Sequence, residues 1–324
     1  ATFVVGFVSL AYEVLLTRLG ILYLGNSVSV FALVLTGFLL GTGISAILGT
    51  WFYGVFRRAT AGADRLFGIL ALAAGAFILL TPYLLLTDWV ISTEQFARFA
   101  DATRRNPLPI LGIIIAPTIL IGALLPIAIR MLQPEKRGEA TREAATLYAL
   151  NTAGGLLGAG IANHFLVPLV GIQATLVILA SLLVGVAVLN LFATGRAPVR
   201  WGTAVGIAAL LGVALAATLP DMMHLYAGKL AESTQARSTE VLHVHEGRAA
   251  TVTVLDQDDP KWGSYRDMYL NGVEEASTRF WHTQLFKILG ILPVLLHESE
   301  EPKEVLVIAF GAGITAGSIC LLYT

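Results

Sequence analysis

Long apolar blocks fill about the first two-thirds of the chain, and short alternating runs fill the rest. A bilayer core is crossed by about 20 apolar residues in helix, and the blocks supply candidate spans at roughly 3–24, 28–56, 65–91, 107–129, 144–167, 172–194 and 201–219. The pattern therefore predicts a membrane all-α bundle of about seven transmembrane helices. The opening block is read as a true span, because it lacks a basic start, carries Glu13 and Arg18, and outruns the short apolar core of a signal peptide. Trp51, Trp89 and Trp201 fall near proposed span ends, where an indole buries its ring and still hydrogen-bonds at the headgroup level.

Lipid offers no hydrophobic drive for helices to associate, so close backbone approach has to replace it. Gly37, Gly41, Ser45 and Gly49 recur every fourth residue, as do Gly154, Gly158 and Ala162, which places each set on one helix face turned to a neighbouring helix. Ionisable and polar groups within the spans are costly and raise a functional question. Glu13 and Arg18 lie about 140° apart around a helix and are expected to find partners on other helices or at an interface. Asn151, Thr152, Asn163 and His164, with Pro168 close behind, share the fifth span. Asn163 and His164 serve either interhelical hydrogen bonding or a transport, proton or ligand site. Pro117 and Pro126 are expected to kink the fourth span.

From about Val241 the period changes. Ala250–Val254 reads as a strand, Asp256–Gly263 as a polar turn, and Arg266–Leu270 as a second strand closed by Asn271-Gly272, a strong hairpin signal. Phe280–Leu296 has helical spacing, and Val305–Ala309 reads as a short buried strand of the parallel-sheet type. It runs into Gly311, Gly313 and Gly317, either a backbone cradle for a cofactor or an ordinary strand-to-helix turn. The resulting division is a transmembrane helical domain at 1–219, a linker at 220–240, a β-hairpin and helix region at 241–298, and a strand with its glycine turn at 299–324.

Composition sharpens this picture. Hydrophobic residues make up 56% and charged residues 13% of the 324 positions, against about 25% charged in a soluble domain. The charge deficit is concentrated before Pro220. A net charge of −1 and the absence of a basic stripe argue against a nucleic-acid partner. Cys320, the single cysteine, excludes an internal disulfide framework and a cysteine-based metal cluster within one chain. Arg57, Arg58, Arg65, Arg130, Lys136, Arg137, Arg142, Arg196 and Arg200 fall in one set of loops, and Arg98, Arg104 and Arg105 in the other. The first set is expected to be cytoplasmic, which with seven spans puts the C-terminal part outside the cytoplasm.

Glu246–Val252, Tyr269–Val273, Leu292–His297 and Val305–Gly313 together resemble the start of the spermidine synthase family. Tyr12–Leu19 and Leu147–Gly155 are similar to the helical half of bacterial membrane-fused spermidine synthase-like proteins. The resemblance covers most of the chain. It implies a partial α/β domain, a β-hairpin region followed by the opening of a Rossmann-like fold, in a bacterial inner membrane. It also implies aminopropyl transfer from decarboxylated S-adenosylmethionine to a polyamine, with Gly311, Gly313 and Gly317 at the cofactor and Tyr269, Asn271, Gly272, His282 and Gln284 at the substrate. Such chemistry needs a deprotonated amine and carboxylates that hold a cationic polyamine. Here the chain departs from the family: Leu270-Asn271-Gly272 stands where the family has leucine-aspartate-glycine, and Gly311–Gly317 contains no acid. Seven residues follow Gly317, so the acidic groups of later strands are missing and this chain is expected not to complete the transferase site.

Three functions follow. The first is a membrane-tethered aminopropyltransferase-like enzyme in its intact form. The second is a non-catalytic membrane subunit that packs on partner proteins or on its own copies. The third is a small-molecule transporter using Glu13, Asn151, Asn163 and His164, for which the sequence offers no internal repeat.

Overall fold

The first six apolar runs lie on helices: α1 (Thr2–Leu24), α2 (Val28–Phe56), α3 (Ala63–Leu85), α4 (Leu108–Met131), α5 (Arg137–Ile161) and α6 (Val167–Ala193). The computed structural model describes residues 1–24, 28–56, 63–87, 108–132, 137–193, 219–234, 236–297 and 304–322. Apart from Leu219, the seventh predicted span lies outside the described residues, as do Trp89, Trp201 and most of the loop arginines behind the orientation argument. Among the described residues, five helical stretches are long and apolar enough to cross a membrane, the last of them the continuous run Ala140–Asn190. That run is not one straight helix. A π-helical turn, Ala162–Leu166, joins α5 to α6, and Gly171 (φ 83°, ψ 169°) leaves helical geometry altogether.

The described residues divide into two compact units, one of Ala1–Tyr226 with Glu246–Arg248 and one of Ala227–His245 with Ala249–Thr324. In the first, α1 packs along α5, α2 along α4, and α3 against both α4 and α6. The small-residue faces explain the closest of these pairings. A Cβ on Gly41 would meet Thr118 Oγ1 and the Ile115 carbonyl on α4, and one on Gly158 would run into the Phe7 carbonyl on α1. Gly154 stands in the same relation to Phe3, and Gly6 to the backbone of Asn151. The core between these contacts is apolar, with Leu15, Leu16, Leu19, Phe67, Ile78, Leu124 and Leu183 buried. Tyr12 joins it by sharing a hydrogen bond of 2.6 Å with Thr81. Leu39, Ile47, Leu156, Leu169 and Leu189 are exposed on the helix surfaces. In water they would be a liability, and in a bilayer they face their own solvent.

The second unit holds a four-stranded sheet in the order β1-β2-β3-β4: Ser238–Glu246, Thr251–Asp259, Gly263–Leu270 and Val273–Ser277. A short helix, α7 (Met222–Ser233), precedes it and two follow, α8 (Phe280–Leu295) and α9 (Ile314–Cys320). α9 packs on α8, where Gly290 faces the Thr315 carbonyl and Thr315 Oγ1 donates to the Phe286 carbonyl at 3.1 Å. The Asn271-Gly272 hairpin forms as its sequence predicts, with φ of 50° and 80° and Leu270 paired to Val273. Positive φ at both central residues is the twist-matched two-residue turn that Asn-Gly favours.

Two expectations need correction. Asp256–Gly263 is not a polar turn: β2 continues to Asp259 and pairs with β3 as far as Gly263, which leaves Pro260–Trp262 as the connection. The acidic residues disguised a strand whose inward positions, Thr251, Thr253, Leu255 and Gln257, keep a period of two. Val305–Ala309 is not a strand. It is irregular, with Leu306 84% and Ile308 82% exposed. An apolar run becomes a strand only where a neighbour accepts its backbone hydrogen bonds, and the sheet among the described residues ends at β4.

Candidate functional site

The polar residues expected inside the helical unit are brought together only in part. Arg18, on α1, donates from Nε and Nη2 to Asn163 Oδ1 at 3.0 and 2.8 Å, from Nη1 to the Gly247 carbonyl at 2.8 Å, and from Nη2 to the Arg248 carbonyl. The π-helical turn carries Asn163, and wide turns of this kind recur at functional sites. Glu246 Oε2 accepts from Ile172 N at 2.5 Å, just beyond the Gly171 break, where a helix start leaves backbone donors unused. Burial pushes the Glu246 carboxyl above its ordinary range, against the pull of the Ile172 hydrogen bond and of Arg18. His164 is exposed and bonds back to the Gly160 carbonyl at 3.1 Å, and Thr152 bonds back to Tyr148. Glu13 is half-buried on α1, and Asn151 contributes its backbone to the α1–α5 contact.

The glycines expected at a cofactor form a local turn. Gly311 and Gly313 have φ of 56° and 76°, Gly313 N donates to the Phe310 carbonyl at 3.0 Å, and the Phe310 ring occupies the space that a Gly313 side chain would need. Gly317 lies within α9.

The richest chemistry lies on the buried face of the sheet. β2 and β3 alternate, so Gln257, Tyr265, Asp267 and Tyr269 share this face and all are buried. β4 reaches the same face twice. A β-bulge pairs Tyr269 with Glu274 and Asp267 with Ser277, so two residues an odd number of positions apart point the same way. Arg279, the residue before α8, folds its side chain back over this surface.

The contacts form one network. Gln257 Nε2 donates to Asp267 Oδ2 at 3.0 Å, and Tyr265 OH donates to Gln257 Oε1 at 3.0 Å. A longer contact of 3.5 Å joins Gln257 to Tyr269 OH. Arg279 Nη2 bridges Asp267 Oδ2 at 3.1 Å and Glu274 Oε1 at 2.5 Å, while its Nε donates to Ser277 Oγ at 3.0 Å. Its guanidinium carbon stands 4.9 Å from the centre of the Tyr265 ring. His282 Nδ1 lies 3.4 Å from Glu274 Oε1. Burial lowers the affinity of Arg279 for its proton, but the Asp267 and Glu274 charges outweigh this and hold it above its ordinary value. Burial likewise raises the Tyr269 phenol well above its usual range, and the Asp267 charge adds to it. Asp267 Oδ1 and Thr253 Oγ1 are buried without a hydrogen-bond partner.

Of the residues that the resemblance places at a substrate, Tyr269 belongs to this network, and His282 Nδ1 approaches Glu274 without a hydrogen bond. Asn271 does not: its Oδ1 and its N–H both bond the backbone of Thr251, at 2.9 Å each, which ties it to the turn. Gly272 completes that turn, and Gln284 lies half-buried on α8. Gln257, Tyr265, Asp267, Glu274 and Arg279 were missed by the sequence reading. Their signal was the alternation of Tyr265, Asp267 and Tyr269 opposite that of Thr253, Leu255 and Gln257, a period that does not depend on the residues being apolar. No protein-family model, curated protein or solved structure matches the chain.

Proposed function

We propose that this chain is a membrane-integral, spermidine synthase-like protein. The activity would be transfer of an aminopropyl group from decarboxylated S-adenosylmethionine to a polyamine. The order of parts supports the reading: apolar helices come first, then a small antiparallel sheet whose Tyr269–Gly272 hairpin leads into the helix of His282 and Gln284. The Asp267 and Glu274 carboxylates beside Tyr265 and Tyr269 are the kind of acidic, aromatic surface that a cationic amine requires.

One observation favours a second reading, a non-catalytic transmembrane subunit. Arg279 already neutralises both carboxylates, and Asn271 is committed to its turn. The chain as it stands is therefore expected to bind decarboxylated S-adenosylmethionine weakly or not at all and to transfer nothing. Calorimetry with that compound and a polyamine transfer assay are the tests, and turnover well above background overturns the non-catalytic reading. Orientation is tested by a reporter active only in the cytoplasm. Fused after Thr324 it should be silent, and inserted at 134–142 it should be active; signal at both sites would mean that the number of spans between them is not the one proposed.

A further inference from the structure

Arg279 is bound as an external ligand would be. Its planar group meets acceptors in different directions: Asp267 Oδ2 and Glu274 Oε1 through Nη2, and Ser277 Oγ through Nε. The Tyr265 ring lies against the guanidinium, an arrangement suited to a flat, weakly hydrated cation. The anchoring carboxylate is fixed independently of the arginine. Asp267 sits mid-strand, its side chain is 2% exposed, and Gln257 also holds Oδ2, at 3.0 Å. Its other oxygen, Oδ1, is buried and unpartnered, so the carboxylate carries acceptor capacity that Arg279 does not use. The arginine itself is less constrained. It precedes α8, caps nothing with its side chain, and is 25% exposed along that side chain.

We propose that Asp267, Glu274, Ser277 and Tyr265 form a recognition site for a guanidinium cation and that Arg279 is its internal occupant, which keeps external cations out. The acceptors belong to paired strands and persist when the arginine is removed, whereas the arginine is supplied from a connecting residue. A compact ammonium ion in the place of Nη2 would meet both carboxylates but not Ser277 Oγ, and it would stack poorly on Tyr265, so the site discriminates by shape as well as charge. The inference does not depend on aminopropyl transfer. It would stand if the chain were a non-catalytic subunit, and it would fall even if the family reading held, should the emptied site refuse the ligand.

The test uses the full chain in lipid nanodiscs and saturation-transfer NMR on methylguanidinium, with methylammonium as the shape control. Arg279→Ala should show saturable binding of methylguanidinium at least about tenfold tighter than that of methylammonium, a difference of about 1.4 kcal/mol. The unmodified protein and the double variant Arg279→Ala with Asp267→Asn should show none above the lipid background. Equal signal in the single and double variants, or no saturable signal in Arg279→Ala, overturns the proposal. If Arg279→Ala does not fold, Arg279→Gln is titrated in its place. Failure of both variants to fold in the presence of methylguanidinium also overturns it, because a cation that fits the site should support them as Arg279 supports the native chain.

Discussion

The helical unit and the sheet unit bury their interiors by opposite means. In the first, backbones approach at Gly6, Gly41, Gly154 and Gly158, and hydroxyl groups such as Thr118 Oγ1 bond back to their own helix. In the second, the inward face carries Thr253, Gln257, Asp267, Tyr265 and Tyr269, and Gln257 pairs with both Asp267 and Tyr265. The contrast follows from solvent. A lipid-facing unit gains little from hiding leucine and therefore relies on close contact. A small sheet can bury little apolar surface, and this one fills its inward face with a polar network in which Asp267 Oδ1 and Thr253 Oγ1 stay without partners.

The comparison breaks most sharply at the helix contacts. Gly158→Leu should cost about 3 kcal/mol or more, because the new side chain meets the Phe7 backbone, which cannot give way as a flexible side chain would. Unchanged thermal stability in detergent would show that the α1–α5 contact is not close. In the sheet, Asp267→Ala should cost about 2–3 kcal/mol by leaving Arg279 and Gln257 facing an emptied buried position. Chemical denaturation of the full chain with Trp51, Trp89 and Trp201 replaced by Phe, followed by the fluorescence of Trp262 and Trp281, would detect it, and a loss below about 0.5 kcal/mol would mean that the network is decorative.

A smaller effect tests the turn. Asn271→Val should cost about 1–2 kcal/mol, while Asn271→Gly should be nearly neutral, since the position has φ of 50° and Val cannot adopt it cheaply. Equal losses would instead assign the cost to the hydrogen bond that Asn271 Oδ1 accepts from Thr251 N, which both variants remove. The smallest effect concerns Glu246. Its pKa is raised on folding, so its contribution is fully present below its unfolded value and is lost as pH rises through the folded one. Stability of the native protein relative to Glu246→Gln should therefore grow as pH falls from 7 toward 5, by less than about 1.4 kcal/mol per pH unit. Growth in the opposite direction would mean that Arg18 and Ile172 N dominate over burial.

Much of the helical unit was legible because a bilayer leaves the chain few options: an apolar run of span length has to be helix, and small residues every fourth position have to face a neighbour. The start of α5 was less legible. It begins at Arg137 rather than near 144, since a helix extends into polar sequence without marking the point at which apolar residues stop. The break at Gly171 was hinted at only by Pro168, three residues earlier. In the sheet unit the hairpin was read from Asn271-Gly272, but the site was not, because Asp256–Asp259 was judged by polarity rather than by period. The Val305–Ala309 error has the opposite cause: composition favoured a strand, while strand formation is a property of pairs.

The bulge in β4 has a consequence for chain length. Pairing runs Leu270 with Val273, Tyr269 with Glu274, Met268 with Ala276 and Asp267 with Ser277, so Glu275 is opposite no residue of β3. A chain lacking Glu275 could keep every one of these partners and its two-residue turn. The loss of Glu274 or Ala276 would leave the same number of residues, and the surviving neighbour would shift into the vacated register. Length at this point is therefore nearly free to vary by one, whereas one residue gained or lost within β3 would turn Asp267 to the opposite face. A deletion, usually among the most disruptive changes a strand can suffer, should pass almost unnoticed at Glu275.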